Sequence, residues 1–161
     1  LMTNPDSISH LSLMNNGSHV PNSRRAHAAE LGGGGIANAR ALARLFEPLA
    51  NPDGTIKLLS AERINAMRQV SVQTDCDQTL LIPTRFGQGF MLRMDNSTLP
   101  DGNSLVIGDS AFGHVGMGGS LVFADPKYRL SFGYTMNRLG GGILLNQRGQ
   151  SLVDAAYTCV A

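Results

Sequence analysis

Apolar residues recur at helical spacing in the first half of the chain and at alternating spacing in the second. Leu42, Leu45, Phe46 and Leu49 fall at i, i+3, i+4 and i+7 and draw one stripe along a helix. Asn38 precedes that stripe as an N-cap, and Pro48 is expected to kink or end it. Asn51-Pro52-Asp53-Gly54 then reads as a turn, because proline presets φ and glycine accepts a positive one. A second helix follows from Ser60 as N-cap. Leu59 and Ile64 form a potential hydrophobic staple, Met67 continues the face, and the helix is expected to end near Val70.

From Phe86 the pattern changes to short apolar runs separated by Gly, Asp, Asn and Pro, which predicts strands. Gly89 to Met94 and Ser104 to Ile107 are candidates, and Ser120 to Ala124 and Tyr128 to Asn137 are stronger ones, joined by Asp125-Pro126-Lys127. In the last run Tyr128, Leu130, Phe132, Tyr134 and Met136 alternate with Arg129, Ser131, Gly133, Thr135 and Asn137, so one face is apolar and the other polar or small. That predicts an antiparallel sheet covered on one side. A final helix is expected after Gly140-Gly141-Gly142. Its apolar positions Leu145, Leu152, Ala156 and Cys159 should pack on the sheet. The fold class is therefore α+β, an antiparallel sheet with flanking helices.

Residues 1–33 are rich in Asn, Ser, His and Pro without sustained periodicity, and read as a long loop or crossing segment ahead of a folded part over 34–161. The Gly32 to Gly35 run is a flexible joint between them. Because the chain starts Leu1-Met2-Thr3 and runs straight into this polar stretch, the expectation is a fragment of a longer protein. At 161 residues it holds one domain's worth of chain.

Charged residues are 16% of the chain against about 25% in an average soluble domain, and glycine stands at 19 of 161 against about 7%. Much of the chain should therefore be buried or turning. A net charge of +1 provides no broad field for nucleic acid, and the Arg24-Arg25 pair is too short to change that. No apolar run approaches the ~18 residues of a membrane span. No basic segment followed by a hydrophobic core opens the sequence, so no signal peptide is visible and the cytoplasm is slightly favoured as compartment. Cys76 and Cys159 lack CxxC spacing and are expected as buried free thiols. His10, His19 and His27 have no metal spacing, so neither metal nor cofactor is expected. The N-x-[ST] matches at Asn16 and Asn96 matter only in a secreted protein. Asp109 reads as a turn residue, Asn137 and Arg138 as a solvated strand end, and Tyr134 as core. A homo-oligomer is compatible with all of this.

Phe112 to Ser120, Phe-Gly-His-Val-Gly-Met-Gly-Gly-Ser, crowds four glycines around His114 just before a strong strand. Glycine beside a strand marks a bend or the close approach of another backbone or a ligand. Two readings follow from spacing: a tight turn feeding a hairpin with His114 at its mouth, or a site where a bound group reaches backbone N–H donors.

Three segments together resemble the C-terminal part of the serine β-lactamase-related family, which includes class C β-lactamases, penicillin-binding proteins and family VIII esterases. Arg25-Ala26-His27-Ala28 through Gly35-Ile36-Ala37-Asn38-Ala39-Arg40-Ala41-Leu42-Ala43-Arg44 is similar to a segment leading into a helix beside the active site. Phe86-Gly87-Gln88-Gly89-Phe90 is similar to a glycine-bearing strand start. Phe112 to Ser120 resembles the third family motif, Lys-Thr-Gly or His-x-Gly, on a sheet-edge strand facing the nucleophilic serine. The resemblance implies a catalytic His114 that orients substrate or shares protons, and an oxyanion-hole donor in the Met117 N–H. It implies substrate contacts at Gly113, Val115, Gly116 and Gly118, with Gly116 small so that no Cβ presses on the serine or acyl group. Val115 in place of Thr, and His114 in place of Lys, favour ester, amide or peptide substrates over efficient β-lactam hydrolysis.

The family nucleophile sits in Ser-x-x-Lys, and a Tyr-x-Asn element assists proton transfer. No serine here has a lysine three residues on, and none of Tyr128, Tyr134 and Tyr157 has an asparagine two residues on. The resemblance therefore implies a serine hydrolase whose nucleophile lies in a missing N-terminal part of the same domain, this chain being inactive alone. The alternative is a non-catalytic scaffold used for binding or self-assembly.

Overall fold

The computed structural model describes residues 4–8, 10, 36–100 and 102–160. The expected crossing segment over 1–33 falls almost wholly outside the described residues, as do the Gly32 to Gly35 joint, His19, His27 and Asn16. Asn38 caps the first helix as its chemistry requires: its Oδ1 accepts from the Ala41 N–H at 2.9 Å, and α1 runs over Ala39–Ala50. Pro48 lies within it, and the helix continues only to Ala50. Ser60 caps α2, Ala61–Met67, through the Arg63 N–H at 3.2 Å. Of the staple pair Ile64 is buried, whereas Leu59 stays exposed.

Six antiparallel strands follow in simple sequence order: β1 (Val72–Thr74), β2 (Thr84–Phe86), β3 (Met91–Leu92), β4 (Phe112–Val115), β5 (Leu121–Asp125) and β6 (Leu130–Tyr134). A last helix, α3, spans Gln147–Val160. β1 and β2 precede the point where strands were expected to begin. Ser104 to Ile107 is no strand, since it makes only isolated bridges from Leu105 to Met94 and from Ser104 to Leu145. Phe86 closes β2 and pairs with Met91, and Gly87-Gln88-Gly89-Phe90 is the turn that leads into β3. A Cβ on Gly87 would stand 2.0 Å from Met67 O, so glycine lets the turn lie against the end of α2.

The sheet is covered on both faces, which corrects the one-sided expectation. Met91, Val115, Leu121 and Phe123 pack with Leu144, Leu145 and Val153 on the α3 side; Leu92, Phe112 and Ala124 pack with Phe46, Leu49, Ala50 and Ile64 on the side of α1 and α2. The small residues of β6 had suggested solvent, yet they make room for a helix. A Cβ on Gly133 would meet Ala39 O at 2.4 Å and Ala43 N at 3.0 Å, so α1 rests directly on that strand.

The phase of α3 also differs from the expected one: Gly149 and Val153 are buried and Leu152 is 46% exposed. Cys76 and Cys159 are both exposed, contrary to the expected buried thiols. Asn96 is buried and donates its amide to Pro83 O and Asn103 O, so its N-x-[ST] match is structural in the folded chain.

Candidate active site

β4 is held on both sides only at its start. Its Phe112 and Gly113 pair with Leu92 and Met91, while all four of its residues pair with β5. Among the described residues, the edge at His114 and Val115 has no strand partner on the β3 side. The expected sheet-edge strand is thus interior at one end and open at the other. The Gly116 N–H donates to Ser120 O at 2.8 Å, and antiparallel alternation then turns the N–H and C=O of Val115 toward the open edge.

His114 is exposed at this edge, with its ring centre 6.4 Å from that of Phe86. Its Nδ1 lies 2.7 Å from Val115 O. A carbonyl can only accept, so the Nδ1 carries the proton in that contact, and in the neutral ring the lone pair sits on Nε2. The backbone contact therefore selects the tautomer whose lone pair lies on Nε2.

Four residues, Gly116 to Gly119, reverse the chain between β4 and β5. The Gly119 N–H donates to Gly116 O at 3.0 Å and Gly118 has φ +90°, the signature of a type II turn with Met117 and Gly118 at its centre. In a trans peptide the C=O and N–H point in opposite directions. Since Gly116 C=O points into the turn, the Met117 N–H of the same peptide points out of it. No described group accepts from it, and the Met117 side chain is 74% exposed. An outward N–H without a described acceptor can donate to developing negative charge, and an imidazole three residues before it in the chain is a group able to share a proton.

The other residues of the motif serve packing. A Cβ on Gly113 would lie 2.1 Å from Val122 O, so β5 closes over it. Val115 is buried in the core on the α3 side, which means the hydroxyl it lacks relative to threonine would not face the open edge. A Cβ on Gly116 would meet Ser120 Oγ at 2.5 Å, a reason for glycine within this chain. Gly118 is buried, its carbonyl receiving both the Gly140 N–H at 2.9 Å and Asn146 Nδ2 at 3.0 Å. Sequence reasoning missed Asn146, although an asparagine just before a helix is a recognisable N-cap: its Oδ1 accepts from the Gly149 N–H at 3.2 Å.

It also missed the anchor that leads into β4. Asp125, fully buried, accepts from the Ser110 hydroxyl, from Tyr157 OH at 2.7 Å and from the Lys127 N–H at 3.0 Å, and Tyr157 OH in turn accepts from the Gly108 N–H at 2.8 Å. Burial and then the Asp125 hydrogen bond push the Tyr157 phenol far above its ordinary range. Asp109, on the same loop, is exposed and pairs with Arg93 at 3.3 Å. A cleft of about 410 Å³ lined by Ile82, Pro83, Asn96, Leu99 and Asn103 shares no residue with the motif.

A six-stranded antiparallel sheet between helices, carrying a His-x-Gly turn at an open strand end, defines an α+β domain of the β-lactamase and transpeptidase type. The Beta-lactamase family model matches residues 5–155, and the chain belongs to that family of β-lactamase-like serine hydrolases. Over 108 residues it is 37% identical to the esterase/beta-lactamase LipL of Mycobacterium tuberculosis, a match covering 65% of this chain and 23% of LipL. A family VIII carboxylesterase structure superposes with TM-score 0.69 at 35% identity, covering 88% of this chain and 37% of that one. A penicillin-binding protein homolog from Caulobacter crescentus superposes with TM-score 0.63 at 34% identity, over 76% of this chain and 32% of the other. The chain thus spans 23–37% of the length of these relatives.

Proposed function

We propose that this chain is the C-terminal portion of a serine hydrolase that cleaves ester, amide or peptide bonds through an acyl-enzyme. The nucleophile belongs to a segment preceding Leu1. The observation that carries this reading is the outward Met117 N–H, unsatisfied among the described residues, in the turn that follows His114 and the open end of β4. When the serine hydroxyl adds to the substrate carbonyl, the carbonyl oxygen gains negative charge, and the Met117 N–H donates to it. Nε2 of His114, which carries the lone pair when Nδ1–H donates to Val115 O, orients the substrate or shares the proton in transit. An imidazole is a poorer partner for a permanent carboxylate than the fixed charge of lysine, which supports uncharged esters and amides over β-lactams.

Both lysines, Lys57 and Lys127, follow Gly54 and Ala124 rather than serine at the required spacing, so the 161 residues supply no Ser-x-x-Lys. The isolated chain is therefore expected to show no hydrolase activity, and turnover abolished by a serine-directed inhibitor would overturn that. Ester and chromogenic-lactam assays on the full-length protein, beside His114→Ala, test the assigned chemistry. Unchanged turnover in the variant removes His114 from it. The missing Ser-x-x-Lys also motivates the second reading, a non-catalytic scaffold used for binding or self-assembly, and reading the sequence upstream of Leu1 separates the two.

A further inference from the structure

We propose that Asn146 is a positioning residue that aims the oxyanion donor through two hydrogen-bonded peptide groups. This rests on the functional reading above, which assigns the donor to Met117. The Asn146 amide is oriented by its partners: the Gly149 N–H can only donate, so Oδ1 faces it at 3.2 Å, and Gly118 O can only accept, so Nδ2 faces that at 3.0 Å. The Gly118–Gly119 peptide receives Nδ2 on its carbonyl side. Its opposite side, the Gly119 N–H, donates to Gly116 O at 3.0 Å. The Gly116–Met117 peptide is thereby fixed in turn, and its own opposite side is the outward Met117 N–H.

Each accepted hydrogen bond also polarises the amide that carries it, strengthening the donor at its other end. The relay runs from the N-terminus of α3 to the reacting oxygen without Asn146 approaching the substrate. There is no slack in it: a Cβ on Gly119 would stand 2.3 Å from Asn146 Nδ2, and one on Gly140 also 2.3 Å. Glycine at both positions lets the amide press against the turn. The Gly140 N–H, at 2.9 Å from Gly118 O, fills the second acceptor site of that carbonyl.

The test uses Asn146→Ser and Asn146→Asp in the full-length protein. Both retain an oxygen able to cap α3; the aspartate carboxylate has no donor for Gly118 O, and serine has a single, shorter oxygen in place of the two separate amide atoms that reach Gly149 N and Gly118 O. Since deleting an oxyanion donor outright lowers kcat by about 10²–10³, loosening one is expected to lower it roughly 10-fold. KM should stay within about twofold, because the donor acts on charge that develops in the transition state. A tetrahedral phosphonate adduct should form or bind about 10-fold less well in parallel with kcat, while the melting temperature stays close to wild type. A purely structural role predicts the reverse, a lowered melting temperature with unchanged kcat and phosphonate affinity in the folded fraction. That result, or wild-type kcat in both variants, overturns the relay. Met117→Pro, measured alongside, separates the layers: wild-type kcat there overturns the oxyanion assignment together with the relay, whereas a large loss there with none in the Asn146 variants overturns the relay alone.

Discussion

Met117→Pro removes one hydrogen-bond donor and little else, which makes it a sharp test of the proposed chemistry. Met117 is the second residue of a type II turn, the position at which proline's fixed φ is favoured, and Gly118 already supplies the positive φ of +90° that such a turn demands. The Met117 N–H has no described acceptor and the side chain is 74% exposed, so neither a hydrogen bond nor core packing is lost. The Gly119 N–H to Gly116 O bond that closes the turn is untouched. Stability should therefore change by less than about 1 kcal/mol, with proline's effect on the unfolded chain favouring the native state. The rate should behave differently. Loss of an oxyanion-hole donor costs about 2.7–4 kcal/mol of transition-state stabilisation, a drop of about 10²–10³ in kcat. Steady-state hydrolysis of a p-nitrophenyl ester by the full-length protein at saturating substrate reads this directly, and the ratio of Met117→Pro to Met117→Ala isolates the N–H from the side chain. A proline variant with an unchanged melting curve and at least about a third of the alanine variant's kcat refutes the oxyanion assignment.

Stability and pH provide three further tests. Gly133→Ala drives a Cβ to 2.4 Å from Ala39 O, and the overpacking between α1 and β6 should cost about 1–3 kcal/mol, read by urea denaturation. Tyr157→Phe leaves Asp125 one donor short and the Gly108 N–H without its acceptor, a loss of about 1–3 kcal/mol by the same assay. In the wild type the Tyr157 phenol is raised by burial and by Asp125, so its contribution is intact below the ordinary phenol value of 10.0 and is lost as pH rises above it. The phenylalanine variant should therefore show a shallower alkaline decline in melting temperature, and an identical decline refutes the linkage. At Asp77 burial pushes the carboxyl up, but the N–H groups of Leu80 and Thr79 and the Thr84 hydroxyl together hold it below its ordinary 3.8. That contribution is present above 3.8 and lost as pH falls below it, so Asp77→Asn should flatten the acid limb of the stability curve.

What could be read along the chain was whatever a single element decides by itself. The N-caps at Asn38 and Ser60 are local chemistry, and both helices start where those residues place them. The long alternation around Leu130 to Tyr134 is equally local, and it forms β6. Readings that needed a partner failed. The small face of β6 looked solvated because sequence cannot say that α1 lies across Gly133. Leu152 looked buried because its apolar neighbours fit a heptad, whereas α3 turns Gly149 and Val153 inward, one residue out of phase. β1, β2 and β3 are only two or three residues long, too short for any period to register, and pairing rather than propensity makes them strands.

The site divides along the same line. Glycine crowding and the resemblance drew attention to His114 and Met117, since a contiguous motif survives in one dimension. What orients them does not. Val115 O is a neighbour in sequence, but its hold on Nδ1 depends on the edge that β3 leaves open. Gly140 and Asn146 reach the turn from 22 and 28 residues beyond Gly118, and the Gly108 to Tyr157 bond spans 49. These long bonds carry one consequence for the chemistry. A free N–H is an effective oxyanion donor only if the turn does not relax around the charge it meets, since preorganisation rather than the hydrogen bond itself separates a catalytic donor from water. Exposed on one side and tied by Gly140, Gly142 and Asn146 on the other, the Gly116–Gly119 turn combines access with that rigidity. The four glycines that first marked the segment are the means: Gly113 admits β5, Gly116 leaves room for Ser120, Gly118 takes the positive φ, and Gly119 lets the Asn146 amide close against the backbone.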